Sequence, residues 1–202
     1  MKRKRSDQES ARVPSGAAVM RADLTEGLYR ALFQEWAEVG YRALSLERVA
    51  ARAGAGKAAI YRRWSSKLEF ATDAIERIKP PLTELPAQDS LAADIETYLL
   101  QLRRTLRHPL VRRILPDLYA EQARGSELSP LLQGLAQYRR DTAGGMIDRA
   151  MARGEIPPTT DRRFALDLIP SPLYWRMIMI GGRISTADIR RQAKAMTAAL
   201  KA

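Results

Sequence analysis

Apolar residues in this chain recur at three- and four-residue intervals, punctuated by Gly, Pro and Ser, and no stretch alternates with the period of a strand. Leu28, Ala31, Leu32, Trp36 and Val39 form a first stripe, with Asp23 and Glu26 placed as a capping pair before it and Gly40 as its stop. A helix is therefore expected from Asp23. Leu46, Val49, Ala50 and Ala53 form a second, opened by Ser45 with Glu47 in the first turn and closed by Gly54. After Ala55-Gly56, the stretch from Lys57 to Trp64 predicts a third helix, with Ala59, Ile60 and Trp64 inward and Lys57, Ala58, Tyr61 and Arg62 outward. Ser66 and Glu69 open a fourth, which carries Leu68, Ala71, Ile75 and Ile78 toward Pro80-Pro81.

The proline-rich segment 79–90 marks a domain boundary. Beyond it, Ser90 to Arg107 presents Leu91, Ile95, Tyr98, Leu99 and Leu102 on one face. A shorter helix follows with Val111, Ile114, Leu115, Leu118 and Tyr119, then a long one from Ser129-Pro130 to Arg153. Asp161 restarts the chain after Pro157-Pro158, the apolar run Phe164 to Ile180 predicts one helix kinked by Pro170 and Pro172, and a last amphipathic helix carries Ile189, Ala193, Met196 and Leu200.

Two short helices joined by a glycine turn, the second basic and small-sided, make a helix-turn-helix. Between Ser45 and Leu68 six Lys/Arg stand against the single Glu47, a balance suited to a polyanion. The run from Val49 to Phe70 resembles the DNA-binding signature of the tetracycline-repressor (TetR) family of bacterial regulators. Val49-Ala50, Ala53-Gly54, Ile60-Tyr61, Trp64 and Ser66-Lys67 match its pattern; Ala55-Gly56 and Ala59 depart from it by lacking side-chain oxygens that cap a helix or touch phosphate. The resemblance implies an all-α fold: a basic arm over 1–22, an N-terminal three-helix helix-turn-helix head over 23–79, and a larger helical ligand-binding and dimerisation domain over 80–202. It also implies that Ser45, Tyr61 and Lys67 touch the DNA backbone. Lys57, Ala58 and Arg62 join them as a smooth leading face with long donors suited to a major groove. Arg48 and Arg52 lie four apart on an exposed face, as DNA contacts or as solvated surface, and Arg63 can point either way. Lys67 in a first turn opposes the helix dipole, which a bound phosphate would explain.

Composition narrows the alternatives. A formal net charge of +11 is compatible with nucleic acid. The absence of cysteine excludes disulfides and thiolate chemistry, and the lack of a long apolar run argues against a membrane span. Basic residues at 2–5 are followed by polar ones, not by the apolar core of a secretory signal, so a cytoplasmic location is expected. The arm over 1–22, with KRKR followed by Ser, Asp, Gln, Glu, Pro14 and Gly16, reads as disordered: a tail that lies along DNA or enters its minor groove, or a solvated terminus. An enzyme is disfavoured: the single histidine, His108, precedes Pro109 as a helix cap, no cofactor or metal-ligand pattern occurs, and Asp117 with Glu121 reads as a solvated acidic pair.

For the second domain, Tyr98, Leu102, Leu115, Tyr119, Tyr138, Met146, Tyr174 and Trp175 are candidates to line an effector pocket opened by the proline kink, or else to fill the core or a dimer seam. Arg176, if inward, needs an acidic partner or an anionic ligand. The helices 130–153 and 161–180 carry more apolar surface than one chain absorbs, and in the family two such helices pair with their copies. Gly144-Gly145 would permit close backbone approach there. The expected partners are a double-stranded DNA operator, a second copy of the chain and an unidentified small molecule. The expected function is a repressor released from its operator by that molecule. A constitutive DNA-binding or DNA-organising protein is the rival, favoured by a filled pocket and disfavoured by an empty one.

Overall fold

Among the described residues of the computed structural model, 16–77 and 86–202 with side chains from residue 22, every regular element is helical. The basic arm up to residue 15 and the boundary segment 78–85 lie outside the described residues.

Helix α1 (Gly16–Ala43) begins before Asp23, because the Ala, Met and Arg residues upstream are good helix formers. Asp23 thus lies inside the helix, and Glu26 pairs with Arg77 rather than with a cap. The break falls at Gly40, whose φ of 77° suits a residue without a side chain. A Cβ there would also come within 3.1 Å of Asp117 Oδ1. Val39 is 42% exposed instead of inward, since the break ends the helix before another element covers it.

Three short helices complete the head: α2 (Leu46–Arg52), α3 (Lys57–Tyr61) and α4 (Lys67–Arg77). Ser45 Oγ accepts from Arg48 N at the start of α2, while Gly56 opens α3 with no side-chain cap. At α4, Ser66 Oγ accepts from Glu69 N (3.0 Å), and the Glu69 carboxylate reaches back to Ser65 N (2.6 Å). The core gathers Leu28, Leu32, Trp36, Val49, Ile60 and Phe70, with Trp64 stacked on Phe70 at 3.9 Å between ring centres. Asp73 of α4 closes this head, accepting from Tyr29 OH (2.6 Å) and Trp64 Nε1 (2.7 Å). Burial, then the bond to Asp73, pushes the Tyr29 phenol up to about 12.

The body is built from α5 (Leu91–Arg107), α6 (Pro109–Ala123), α7 (Ser129–Ala152), α8 (Arg162–Leu168), α9 (Ser171–Tyr174) and α10 (Thr186–Lys201). Ser90, Asp161 and the Ser185–Asp188 box cap α5, α8 and α10. Asp94, 2% exposed, ties α5 to α7 through Arg149 (2.7 Å) and Arg153 (3.3 Å).

The expected single helix from Phe164 to Ile180 is divided into α8, α9 and a π-type turn over Trp175–Met179, where Ile180 N donates to Trp175 O (3.0 Å). Pro170 and Pro172 supply no amide to the helical ladder, so the run breaks rather than bends. Arg176 faces outward there, its Nε donating to Arg183 O at 3.4 Å, and needs no buried acid. Gly144 does allow a close approach, but within the chain: the Arg162 guanidinium lies against it on its way to Asp148.

Head and body meet along α1 and α6. Asp117 accepts from Trp36 Nε1 (2.7 Å) and from Tyr41 N (2.9 Å), the amide that the break at Gly40 releases from the helix. Glu121, 1% exposed, lies 3.3 Å from Arg42 Nε and 2.9 Å from Arg124 Nη1. These two acids are not a solvated pair; they are the polar joint between the two parts. Tyr41 adds a third link, donating its hydroxyl to Glu127 Oε1 (2.6 Å), and burial with that bond raises its phenol above the usual range.

Candidate nucleic-acid interface and internal cavity

Helix α3 needs two anchors to stand on a surface, and Ala59 and Ile60 supply them, 5% and 0% exposed. One turn round, Lys57, Ala58, Tyr61 and Arg62 all face solvent. The outward face expected of a recognition helix is therefore open. Arg63 turns inward, donating to Thr25 Oγ1 (3.2 Å) and Ala59 O (2.8 Å), and belongs to the head's packing.

Around this face the acids matter as much as the bases. Glu47 accepts from Ser45 Oγ (2.9 Å) and pairs with Lys57, while the Lys57 ammonium also lies 5.4 Å from the Tyr61 ring centre. The hydrogen bond from Lys57, then those from its own backbone amide and from Ser45, hold the Glu47 carboxyl down to about 2. Arg48 and Arg52 converge on Glu35, a carboxylate 1% exposed, and Arg52 also reaches Glu38. Arg48 donates further to Ala43 O (2.6 Å), so part of its guanidinium is committed to the head. Lys67 donates to Tyr41 O (3.0 Å) and lies 4.3 Å from the Tyr41 ring centre. That acceptor accounts for a cation in the first turn of α4 without a phosphate.

Deeper in the molecule α5, α6 and α7 do not close on one another. They leave a cavity of about 420 Å³. Helix α6 supplies Leu110, Val111, Ile114, Leu115 and Leu118; α7 supplies Leu135, Tyr138 and Arg139; α5 supplies Arg104 and Thr105, with His108 at its end. The head closes it with Phe33 of α1 and Ile75 of α4. Of the eight residues expected to line a pocket, Leu115 and Tyr138 do so. Tyr98, Leu102 and Met146 are absorbed in the core at 2%, 3% and 0% exposure, where burial raises the Tyr98 phenol to about 12. Tyr119 and Tyr174 pack edge to face at 6.4 Å, and Trp175 is 61% exposed. Val111, Ile114 and Leu118, not expected at the pocket, share one stripe with Leu115, which is the signal that marks them; Leu110 lies outside that stripe. His108 does cap α6, its Nδ1 accepting from Leu110 N (3.3 Å).

No group of His, Asp or Glu among the described residues is arranged to hold a metal ion, and no described helix is long and apolar enough to cross a membrane.

Two family models match successive parts of the chain. A family model described as bacterial regulatory proteins of the tetR family matches residues 28–73, and one described as a tetracyclin repressor-like C-terminal domain matches 85–196. The chain is 30% identical over 154 residues to the DNA-binding transcriptional repressor TetR of Mycobacteroides abscessus, covering 75% of this chain and 80% of that one. It is 34% identical over 159 residues to an uncharacterized HTH-type transcriptional regulator of Mycobacterium tuberculosis, covering 75% and 74%. The crystal structure of a TetR transcription regulator from Haloarcula marismortui superposes with a TM-score of 0.70 at 21% identity, over 89% of this chain and 98% of that one.

Proposed function

The chain belongs to the TetR family of helix-turn-helix transcriptional regulators, and on that footing we propose that it is a cytoplasmic, dimeric repressor released from its operator by a small molecule. The observation that carries the reading is the solvent-open face of Lys57, Ala58, Tyr61 and Arg62 on a helix anchored from behind by Ala59 and Ile60. Tyr61 serves phosphate, as does Lys67 with the donors its bond to Tyr41 O leaves over; Lys57 and Arg62 reach base edges, and Ala58 lets the helix seat deeply. Ser45 and Arg48 meet the backbone beside them. Glu47 now holds Ser45 and Lys57 as a phosphate would, and binding exchanges that carboxylate for DNA. The work is recognition rather than catalysis.

Release follows from the placement of α6, which lines the cavity with one face and holds α1 through Asp117 with another. A ligand that fits the cavity better in one head orientation shifts the population toward it, by no more than that difference in affinity. The unfilled cavity supports this reading over a constitutive regulator.

Fluorescence anisotropy on DNA selected from a random pool tests the interface. Tyr61→Ala and Lys67→Ala should weaken all DNA and flatten the salt dependence; Arg62→Ala should also blunt sequence preference. Glu47→Gln should tighten binding about threefold by releasing Lys57. Unchanged affinity in all four would remove this face from the interface.

A further inference from the structure

The cavity has a chemical polarity that its apolar walls conceal. Ile114, Leu115 and Leu118 of α6 and Phe33 and Ile75 of the head line it with buried side chains. Three basic residues share the lining: Arg104 and His108 are exposed, and Arg139 is half-buried. No acidic residue lines the cavity among the described residues, and no carboxylate there pairs with Arg104 or Arg139. Arg139 donates one bond to Tyr174 OH (2.7 Å), which orients the guanidinium and leaves donors to spare. Because His108 Nδ1 accepts from Leu110 N, its Nε2 carries the proton and can donate. The lining thus combines buried hydrocarbon with three basic side chains, two of which also reach solvent.

We propose that the cavity binds an amphipathic carboxylate. Its anionic head would sit between Arg104 and Arg139, with His108 donating, and its hydrocarbon chain would run along α6 to Phe33 and Ile75. The charge argument separates this from a neutral or cationic ligand: a cation would face two guanidinium groups with no acid lining the cavity to meet it, and an uncharged chain would gain no charge-assisted hydrogen bond from them. The size agrees, since about 420 Å³ falls in the usual range of small-molecule sites. The two arginines differ in role. Arg104 is exposed and steers the anion in; Arg139, held by Tyr174, fixes where its head stops. The far end of the chain touches the head directly, because Phe33 belongs to α1 and Ile75 to α4. This assignment rests on the effector-release reading for its consequence, though not for the binding itself.

The test uses the full-length protein and three probes of matched length: decanoate, decanamide and decyltrimethylammonium, titrated by calorimetry below their micelle-forming concentrations. Decanoate should bind, decanamide about tenfold more weakly, and the ammonium not measurably. Arg139→Gln should remove most of the preference for decanoate over decanamide while leaving decanamide affinity unchanged, and Leu115→Trp, which narrows the cavity beside α6, should weaken both. Circular dichroism melts confirm that each variant is folded; Arg104→Gln, at an exposed position, is the second charge variant and should act in the same direction. Equal binding of decanoate and decanamide, or preferential binding of the ammonium, overturns the proposal, as does failure of all three probes to bind. Operator release is read separately by anisotropy. If decanoate binds with the stated preference and DNA affinity does not change, the carboxylate assignment stands and the release mechanism falls. If the ammonium alone releases DNA, the release mechanism stands and the carboxylate assignment falls.

Discussion

Glu35 shows how the DNA-binding head tolerates a carboxylate that is 1% exposed. Burial raises its pKa, but hydrogen bonds and charge from Arg48 and Arg52 more than offset this and hold it below the ordinary value. A carboxylate held low in the folded state stabilises it above the unfolded-chain value of about 4.3, and that contribution is lost as pH falls through the folded-state value. The expected outcome is that melting temperature declines steeply below about pH 4.3 in the wild type. Glu35→Gln should be less stable by about 1–2 kcal/mol at neutral pH, a figure reduced by the half-exposed arginines, and its acid slope should be shallower. Thermal melts across the acid range check both. An unchanged slope would mean that Glu35 keeps the same pKa in the unfolded chain. The same arginines had two readings from sequence, DNA contacts or solvated surface, and the structure adds a third: they neutralise a buried acid seventeen or fewer positions away in the chain.

At the level of elements, α6 connects the two halves of the molecule. Its apolar stripe borders the cavity, and a quarter-turn away Asp117 takes the Trp36 indole and the Tyr41 amide freed by the break at Gly40. Replacing Asp117 with Ala leaves two donors without their acceptor, at a cost of about 3 kcal/mol in chemical unfolding. Both donors meet the same oxygen, Oδ2, so Asp117→Asn can keep both bonds through its carbonyl oxygen and, losing only the charge assistance, should recover roughly half of that. Equal losses in the two variants would show that charge, not the bonds, holds the joint. Much of this architecture was legible along the chain. The stripes of α2, α4, α5 and α10, and the helix starts at Ser45, Ser90 and Asp161, each depend on residues within one or two turns. The joint was not, because Asp117 meets its partners 81 and 76 positions away, and local periodicity cannot distinguish a solvated acid from one facing another helix. The cavity was half legible for a related reason: an apolar stripe looks the same whether it faces packed side chains or open space. The break at 170–172 was visible as two prolines, but whether they would bend or divide the run depended on the π-type turn that follows.

At the scale of the whole molecule, Phe164, Trp175, Met179 and Ile180 are 54%, 61%, 69% and 56% exposed on α8 and the segment after α9. These four large apolar side chains are the surface that the proposed pairing of two copies would cover. A two-fold pairing through it would set two α3 helices toward half-sites about one helical turn apart on DNA. Trp175 does not line the cavity, and on this proposal it serves the seam between copies. The paired mutation Trp175→Glu with Met179→Glu places like charges on both sides of such a seam, and light scattering should fall from twice the 22.7 kDa chain mass to the chain mass itself. Operator affinity should fall about a hundredfold with it, because the second head would no longer be held at high local concentration beside the first. Melting of the isolated chain should change little, as both positions are solvent-facing in the monomer. A variant that stays dimeric would move the seam to another face of the body, and a monomer that keeps full operator affinity would show that one head suffices.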